Sequence, residues 1–318
     1  MSRNNPTVSI GLPVFNGENY LEETLDSILS QTYQDFELII SDNASTDKTQ
    51  RICQAYATKD DRIHYYRNKI NLGASRNFNR VFELSRGKYF RWVSHDDVLA
   101  PEFLLRCVNV LDSDSSIVLC YSKAGCINEH SKLVGSYDYI GRFDSQKPNE
   151  RFGDLISMRY PSWIIIFGLI RSNSLKNTQL FGDYIGVDRN LLAEIGLVGR
   201  MYEISDYLFF RREHAQAYTN KGFDNYQEKL DWWVKPKSAA RLFFPYWKIC
   251  LEYFKSVHRI PLKWSERLLC YKQIFKWLLR EGWLLMCKDV AINLLAHSRY
   301  KKSFGPLYNW LIQKGGID

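Results

Sequence analysis

Between Val8 and Ser122, short apolar runs alternate with segments whose apolar positions recur every three or four residues. The runs VSIGLPV (8–14), FELIIS (36–41), IHYY (63–66), YFRWVS (89–94) and IVLCYS (117–122) read as strands. Helical spacing follows the first at Tyr20, Leu21, Thr24, Leu25, Ile28 and Leu29, and the second at Ile52, Ala55 and Tyr56. Further helices are expected from Ala74 to Leu84 and from Pro101 to Leu111. Strands joined by crossover helices predict an α/β fold, a mostly parallel sheet with helices on both faces. Such sheets bind ligands beyond the carboxyl ends of their strands.

Residues 123–160 are turn-rich, and irregular structure around an acceptor site is expected there. Phe181 to Gly199 turns helical, and EISDYLFFRREH (203–214) reads as a strand leading into a loop. After Tyr226 the pattern is helical, with breaks expected at Pro236, Pro245, Pro261 and Gly305/Pro306. This divides the chain into residues 1–225, with halves at 1–122 and 123–225, and a helical region 226–318.

Composition narrows the class. With 45% hydrophobic and 25% charged residues the chain is globular rather than disordered or fibrous. The longest apolar stretch, Trp163–Ile170, is far short of the ~20 residues of a membrane-spanning helix. The polar start Met1–Thr7 lacks the pattern of a signal peptide, so a cytoplasmic protein is expected. Seven cysteines without metal-ligand spacing read as buried thiols. The net charge of +8 is concentrated at one end: residues 229–318 hold 17 Lys and Arg against 6 Asp and Glu, with seven of the nine tryptophans. Two readings of this end stay open. The aromatics form a core between helices with the cations as solvated face, or the region makes a peripheral membrane contact at the inner face. No recognised nucleic-acid module is present, so no nucleic-acid partner is expected.

Three polar clusters close predicted strands: Pro13 to Glu18, Ser41 to Asp47, and Ser94 to Asp97. A carboxylate such as Asp42 can accept hydrogen bonds from a base N–H or a ribose hydroxyl. Asp96 and Asp97 repel each other unless a cation lies beside them, and hard oxygen ligands select Mg²⁺ or Mn²⁺. Taken singly, each cluster also reads as a helix cap or a turn.

Together the stretches VSIGLPVFNGENYLEETLDSILSQTYQDFELIISDNASTDKT, NLGASRNFN and FRWVSHDDVLAPEFL resemble the family 2 glycosyltransferases of GT-A fold, and the likeness runs on loosely to His214. The resemblance implies an inverting, metal-dependent hexosyltransferase that takes a nucleotide-diphosphate sugar, UDP-sugar being expected, with a glycan or lipid-linked acceptor in surface polysaccharide or glycoconjugate synthesis. It implies that Pro13, Asn16 and Glu18 line the nucleotide pocket, that Asp42 contacts the base with Asn43 and Ser45 beside it, and that Arg76 lies near the phosphates. His95 and Asp96 belong to the family's metal motif, although Ser94 stands where that motif has its first aspartate.

The metal ligands implied are Asp96, Asp97 and His214, with Arg212 near the diphosphate. GDYIGVDRNLLAEIGLVGR resembles the segment carrying the catalytic base. Inversion needs a carboxylate opposite the leaving diphosphate, and Asp188 is the candidate, with Asp183 and Glu194 as rivals. A nucleotidyltransferase of related fold or a non-catalytic scaffold are the alternatives. The first is disfavoured because PVFNGE follows strand one where a Gly-rich basic phosphate loop is expected.

Overall fold

The computed structural model describes residues 5–139, 141–158, 162–217, 232–233 and 244–297. Strands β1 (Val8–Val14), β2 (Phe36–Asp42), β3 (Ile63–Arg67) and β4 (Tyr89–Trp92) alternate with helices α1 (Leu21–Leu29), α2 (Thr49–Lys59) and α3 (Ala74–Glu83). These four strands pair in parallel in the order β3-β2-β1-β4. Every residue of β1 and β2 is buried, as expected for strands covered on both faces. Side chains alternate between two cores. Leu38, Ile40 and Tyr89 face the side of α1, while Ile39, Phe90 and Trp92 face the side of α3.

The sheet continues through β5 (Val98–Leu99), α4 (Phe103–Ser113), β6 (Ile117–Ile127), β7 (Leu133–Tyr137), α5 (Pro148–Ile156), a 3₁₀ turn (Ser162–Phe167), β8 (Leu169–Arg171), α6 (Ser172–Lys176), α7 (Val187–Val198) and β9 (Arg200–Arg212). The full order is β3-β2-β1-β4-β8-β6-β9-β5, with β7 on β6. Here β8 runs antiparallel to β4 and β6, and β9 runs parallel to β6.

Two expectations change. Residues 123–160 are not irregular throughout, since β6 extends to Ile127, pairs with β7 as a hairpin and is followed by α5. The hairpin turns at Ser131, whose φ is 59°. Four of the five β7 residues are exposed, so this edge strand lacks the apolar run that marks the others. The helix expected from Phe181 starts only at Val187, because residues 181–182 are bonded to α3 instead of to a helical turn.

The C-terminal helices are α8 (Pro245–Arg259), α9 (Trp264–Trp277) and α10 (Trp283–His297), with a π-turn at Leu278–Gly282. Tyr246, Ile249, Tyr253 and Val257 of α8 and Cys270, Ile274 and Trp277 of α9 share one core with Phe152, Leu155 and Leu191. Pro245 opens α8 and Pro261 separates α8 from α9; the breaks expected at Pro236 and Gly305/Pro306 lie outside the described residues. Among the described residues no helix is long and apolar enough to cross a membrane. The described cysteines are all free thiols, buried except Cys287.

Candidate active site

The parallel register brings the three polar clusters to one edge. Val14 pairs with Asp42 and Gly11 with Trp92, so the loops after β1, β2 and β4 leave the same end of the sheet, and Arg67 at the end of β3 pairs with Asp42 beside them. The Asp42 carboxylate is buried and engaged from three sides: the Ser45 N–H (2.8 Å), the Tyr65 hydroxyl (2.7 Å) and Arg67 Nε (3.2 Å). Burial, reinforced by the hydrogen bond to Asp42, pushes the Tyr65 phenol up, so it remains a donor. Arg67 also donates to the Ser45 carbonyl (2.7 Å), with its side chain 38% exposed at the edge. The sequence expectation singled out neither Tyr65 nor Arg67.

The β1 and β2 loops are laced together. The Asn16 N–H donates to Ser45 Oγ (3.0 Å), and Asn16 Oδ1 accepts from the Thr46 N–H (2.8 Å). The Glu18 N–H donates to Asp47 (3.0 Å), and Glu18 accepts from the Lys48 N–H (3.0 Å). Asn16 adopts a left-handed φ of 52°, a conformation that asparagine tolerates. Asn16 and Glu18 thus tie the backbones of the two loops together. Pro13 is buried within β1, past Gly11, the last residue that β1 pairs with β4. Asn43 reaches the other way: its Oδ1 accepts from the Leu72 N–H (2.8 Å), and its amide donates to Asn71 (2.8 Å) and to the Gly73 carbonyl (3.3 Å). That anchors the entry to α3, on whose first turn Arg76 is exposed.

Beyond β4, Asp96 accepts from the Ser94 hydroxyl and meets His214 Nε2 at 3.0 Å, His214 following the end of β9. Burial alone would raise the Asp96 carboxyl, but the neighbouring His95 ring, the hydrogen bonds from His214 and Ser94, and the charge of His214 outweigh it and hold Asp96 below the usual carboxylate range. His95 packs against Gly17, where a Cβ would approach its ring to 2.6 Å, so the glycine lets the β1 and β4 loops close on each other.

Asp97 behaves differently. It is buried, its Oδ1 accepts the Arg212 N–H (3.0 Å), and burial together with the adjacent Asp96 charge pushes its carboxyl above the usual carboxylate range. Asp97 is directed into the protein, so of the three expected metal ligands only Asp96 and His214 meet as a pair. Among the described residues no three His, Cys, Asp or Glu side chains form a ready-made cation cluster. The Asp96 carboxylate is a hard donor of the kind that Mn²⁺ or Mg²⁺ takes, and His214 Nε2, 3.0 Å from it, would join it on a cation once that nitrogen carries no proton.

Arg212, expected near the diphosphate, is engaged by protein groups around Asp96. Its buried guanidinium donates to the Asp96 carbonyl (2.9 Å), the Asn128 carbonyl (3.0 Å), Ser131 Oγ (2.9 Å) and Glu23 (2.6 Å), and lies over the Tyr20 ring. It clamps the loop that carries Asp96 to α1 and to the β6–β7 turn.

Asp188 lies in the first turn of α7, after Gly186, whose φ of 79° favours glycine. The segment before it is docked on α3: Ser75 Oγ donates to the Gly182 carbonyl (2.7 Å), and Asn79 exchanges hydrogen bonds with the backbone of Phe181 (2.8 and 2.9 Å). Phe181 also packs edge-on against Trp92 of β4 at 5.0 Å. The α7 loop is thus tied to the helix that Asn43 anchors and to the strand leading to Asp96. The rivals fare differently. Asp183 is exposed. Glu194 is buried, accepts from the Gln179 N–H (2.8 Å) and Ser256 Oγ (2.9 Å) and is ion-paired to Arg259, which makes it a strut between α7 and α8.

The family model "Glycosyl transferase family 2" matches residues 9–171. An uncharacterized glycosyltransferase of Rickettsia prowazekii is 30% identical over 231 residues, covering 72% of this chain and 70% of the relative. The abequosyltransferase RfbV of Salmonella typhimurium is 40% identical over 152 residues, 45% of this chain and 46% of that protein. Among solved structures, S. aureus TarS 1–349 in complex with UDP-GlcNAc aligns with a TM-score of 0.63 at 15% identity, covering 95% of this chain and 78% of that one. The mannosyltransferase PcManGT from Pyrobaculum calidifontis, in complex with GDP-Man and Mn²⁺, aligns at 0.51 and 14% identity, covering 98% and 84%.

Proposed function

Because the chain belongs to glycosyl transferase family 2, we propose that it transfers one sugar with inversion from a nucleotide-diphosphate donor, a UDP-sugar, to a hydroxyl of a surface glycan or its lipid-linked precursor. The abequosyltransferase among the relatives supports transfer of a single sugar, and the UDP-GlcNAc in TarS supports the donor.

In this reading the laced loops of β1 and β2, with Arg67 and Tyr65 held by Asp42, form the nucleoside end of the site. Asp96 and His214 form the diphosphate end. The manganese in the mannosyltransferase complex supports a divalent ion there, with Asp96 and His214 as its holders. Such an ion supplies Lewis-acid neutralisation of the diphosphate's charge. Asp188 takes the proton from the acceptor hydroxyl as the oxygen attacks the anomeric carbon, and the diphosphate leaves from the opposite face.

The observation that carries this reading is the Asp96–His214 pair, with Asp96 held ionised at the strand edge where all three loops emerge. The test is incubation of the protein with a panel of nucleotide sugars and Mn²⁺, reading released nucleoside diphosphate. Release that depends on Mn²⁺ and is lost in Asp96→Ala is expected. Release of pyrophosphate from a nucleoside triphosphate and a sugar phosphate would assign a nucleotidyltransferase instead, and the absence of any turnover with intact nucleotide binding would assign a scaffold.

A further inference from the structure

Helix α9, the π-turn and α10 run without interruption from Trp264 to His297. The inner side is core: Cys270, Ile274 and Trp277 are buried. The outer side is not a solvated polar face. Trp264, Leu268, Phe275, Leu279, Trp283 and Leu294 are all half or more exposed, Leu279 at 79%. Their spacing is that of one stripe, 264 to 268, then 275 to 279 to 283. The middle three cross the π-turn, where a turn takes more residues than in an α-helix, so a step of four keeps them in line. Single exposed leucines need no explanation, but a contiguous row of this length marks a contact surface.

Cations flank the stripe. Lys272, Lys276 and Arg280 succeed one another at four-residue steps and are exposed. Lys276 and Arg280 also line, with Arg142, Gln273 and Leu279, a concavity of about 430 Å³ between α5 and this helix, where the one acid is Asp154, already paired to Arg142 at 2.8 Å. The concavity therefore offers positive charge beside the most exposed leucine of the stripe.

We propose that this face docks the protein on an anionic phospholipid surface, with the apolar stripe at the boundary of headgroups and acyl chains and Lys272, Lys276 and Arg280 on lipid phosphates. Charge selects this occupant. A stripe of leucine and aromatic residues flanked by cations matches an interfacial helix that lies in a membrane rather than spanning it, and no described helix can span one. A second copy would bring the same cations against these. Residues 298–318 carry four Lys and Arg against one Asp, so they bring no counter-charge either. The inference does not depend on the transfer reading, because vesicle binding is read without turnover.

The test is sedimentation of the full chain with phosphatidylcholine vesicles, with and without phosphatidylglycerol. Binding that needs phosphatidylglycerol and weakens with salt is expected. The double variant L279E/W283E and the triple variant K272E/K276E/R280E should each reduce the pelleted fraction at least about tenfold. All five positions are exposed, and an unchanged melting temperature verifies the fold. Failure of the wild type to pellet with anionic vesicles, or pelleting that neither variant changes, overturns the proposal. So does a dimer in sedimentation velocity that L279E/W283E dissolves, since a second copy would then own the face.

Discussion

His214 Nε2, just past the end of β9, lies 3.0 Å from the Asp96 carboxylate just past the end of β4, although 118 residues separate them. The contact requires β9 and the β4 loop to reach the same edge, and Arg212 secures it two residues upstream by holding the Asp96 carbonyl. His214→Ala should therefore lower turnover by about 10- to 100-fold and raise the Mn²⁺ concentration needed for half-maximal rate. Arg212→Lys should cost turnover too, through misplacement of the loop, without changing which divalent ions activate. Metal titrations of steady-state rate separate the two, and an unchanged metal requirement in His214→Ala would remove that residue from the site.

Asp188→Asn keeps the shape of the side chain and removes its basicity. The rate of transfer should fall by about 10² to 10⁴, while donor affinity measured by calorimetry stays within about twofold, because Asp188 is assigned to the acceptor hydroxyl and not to the nucleotide. A loss of donor binding equal to the loss of rate would show that the residue organises the pocket instead.

Glu194 separates the two kinds of carboxylate on α7. Buried, paired to Arg259 and bonded to Ser256 and the Gln179 N–H, it joins the catalytic half to α8. Breaking a fully buried pair from one side costs roughly 3–5 kcal/mol, and less is expected here because Arg259 is partly exposed and keeps Glu252 at 3.8 Å. Glu194→Ala should lower the urea midpoint clearly, while kcat of the remaining folded enzyme stays near the wild-type value. A large fall in kcat at full stability would restore it as a rival base.

The parts of the fold that were legible in the sequence are those whose burial is symmetric. Strands β1 and β2 are covered on both faces, and their apolar runs mark them to within a residue. Strand β7, exposed along most of its length, carries no such signal. At the site, residue type pointed to the strand-end clusters but not to who holds whom. That Asp42 is engaged by Tyr65 and Arg67 follows only from the parallel register of β2 and β3. The sequence places Arg212 only near the diphosphate, because its partners Glu23, Asp96, Asn128 and Ser131 come from three distant segments. Asp96 and Asp97 are chemically alike and adjacent, and only their opposite surroundings divide them. The C-terminal helices divide their large apolar side chains between two environments that the sequence pattern does not separate: Tyr253, Ile274 and Trp277 are core, while Trp264 and Trp283 are outside.

Asp289 of α10 supplies a pH dependence away from the site. It is buried and accepts the Tyr246 N–H (2.8 Å) and, more weakly, the Trp247 N–H (3.4 Å), both in the first turn of α8. Burial pushes its carboxyl up to about 7, the two N–H groups and Lys288 opposing the shift only in part. In the unfolded chain the group titrates near its ordinary value of 3.8. Between these two values the folded state holds a proton that the unfolded state has released, so this group's contribution to stability is whole below 3.8 and is lost as pH rises through 7. Asp289→Asn keeps an oxygen for the Tyr246 N–H and carries no charge at any pH. Relative to the wild type, the variant should therefore gain stability from pH 5 to pH 8, by the order of 2–4 kcal/mol at about 1.4 kcal/mol per unit. Urea unfolding of both proteins at the two pH values measures the change. A difference that stays constant would mean that Asp289 is ionised in the folded protein throughout that range.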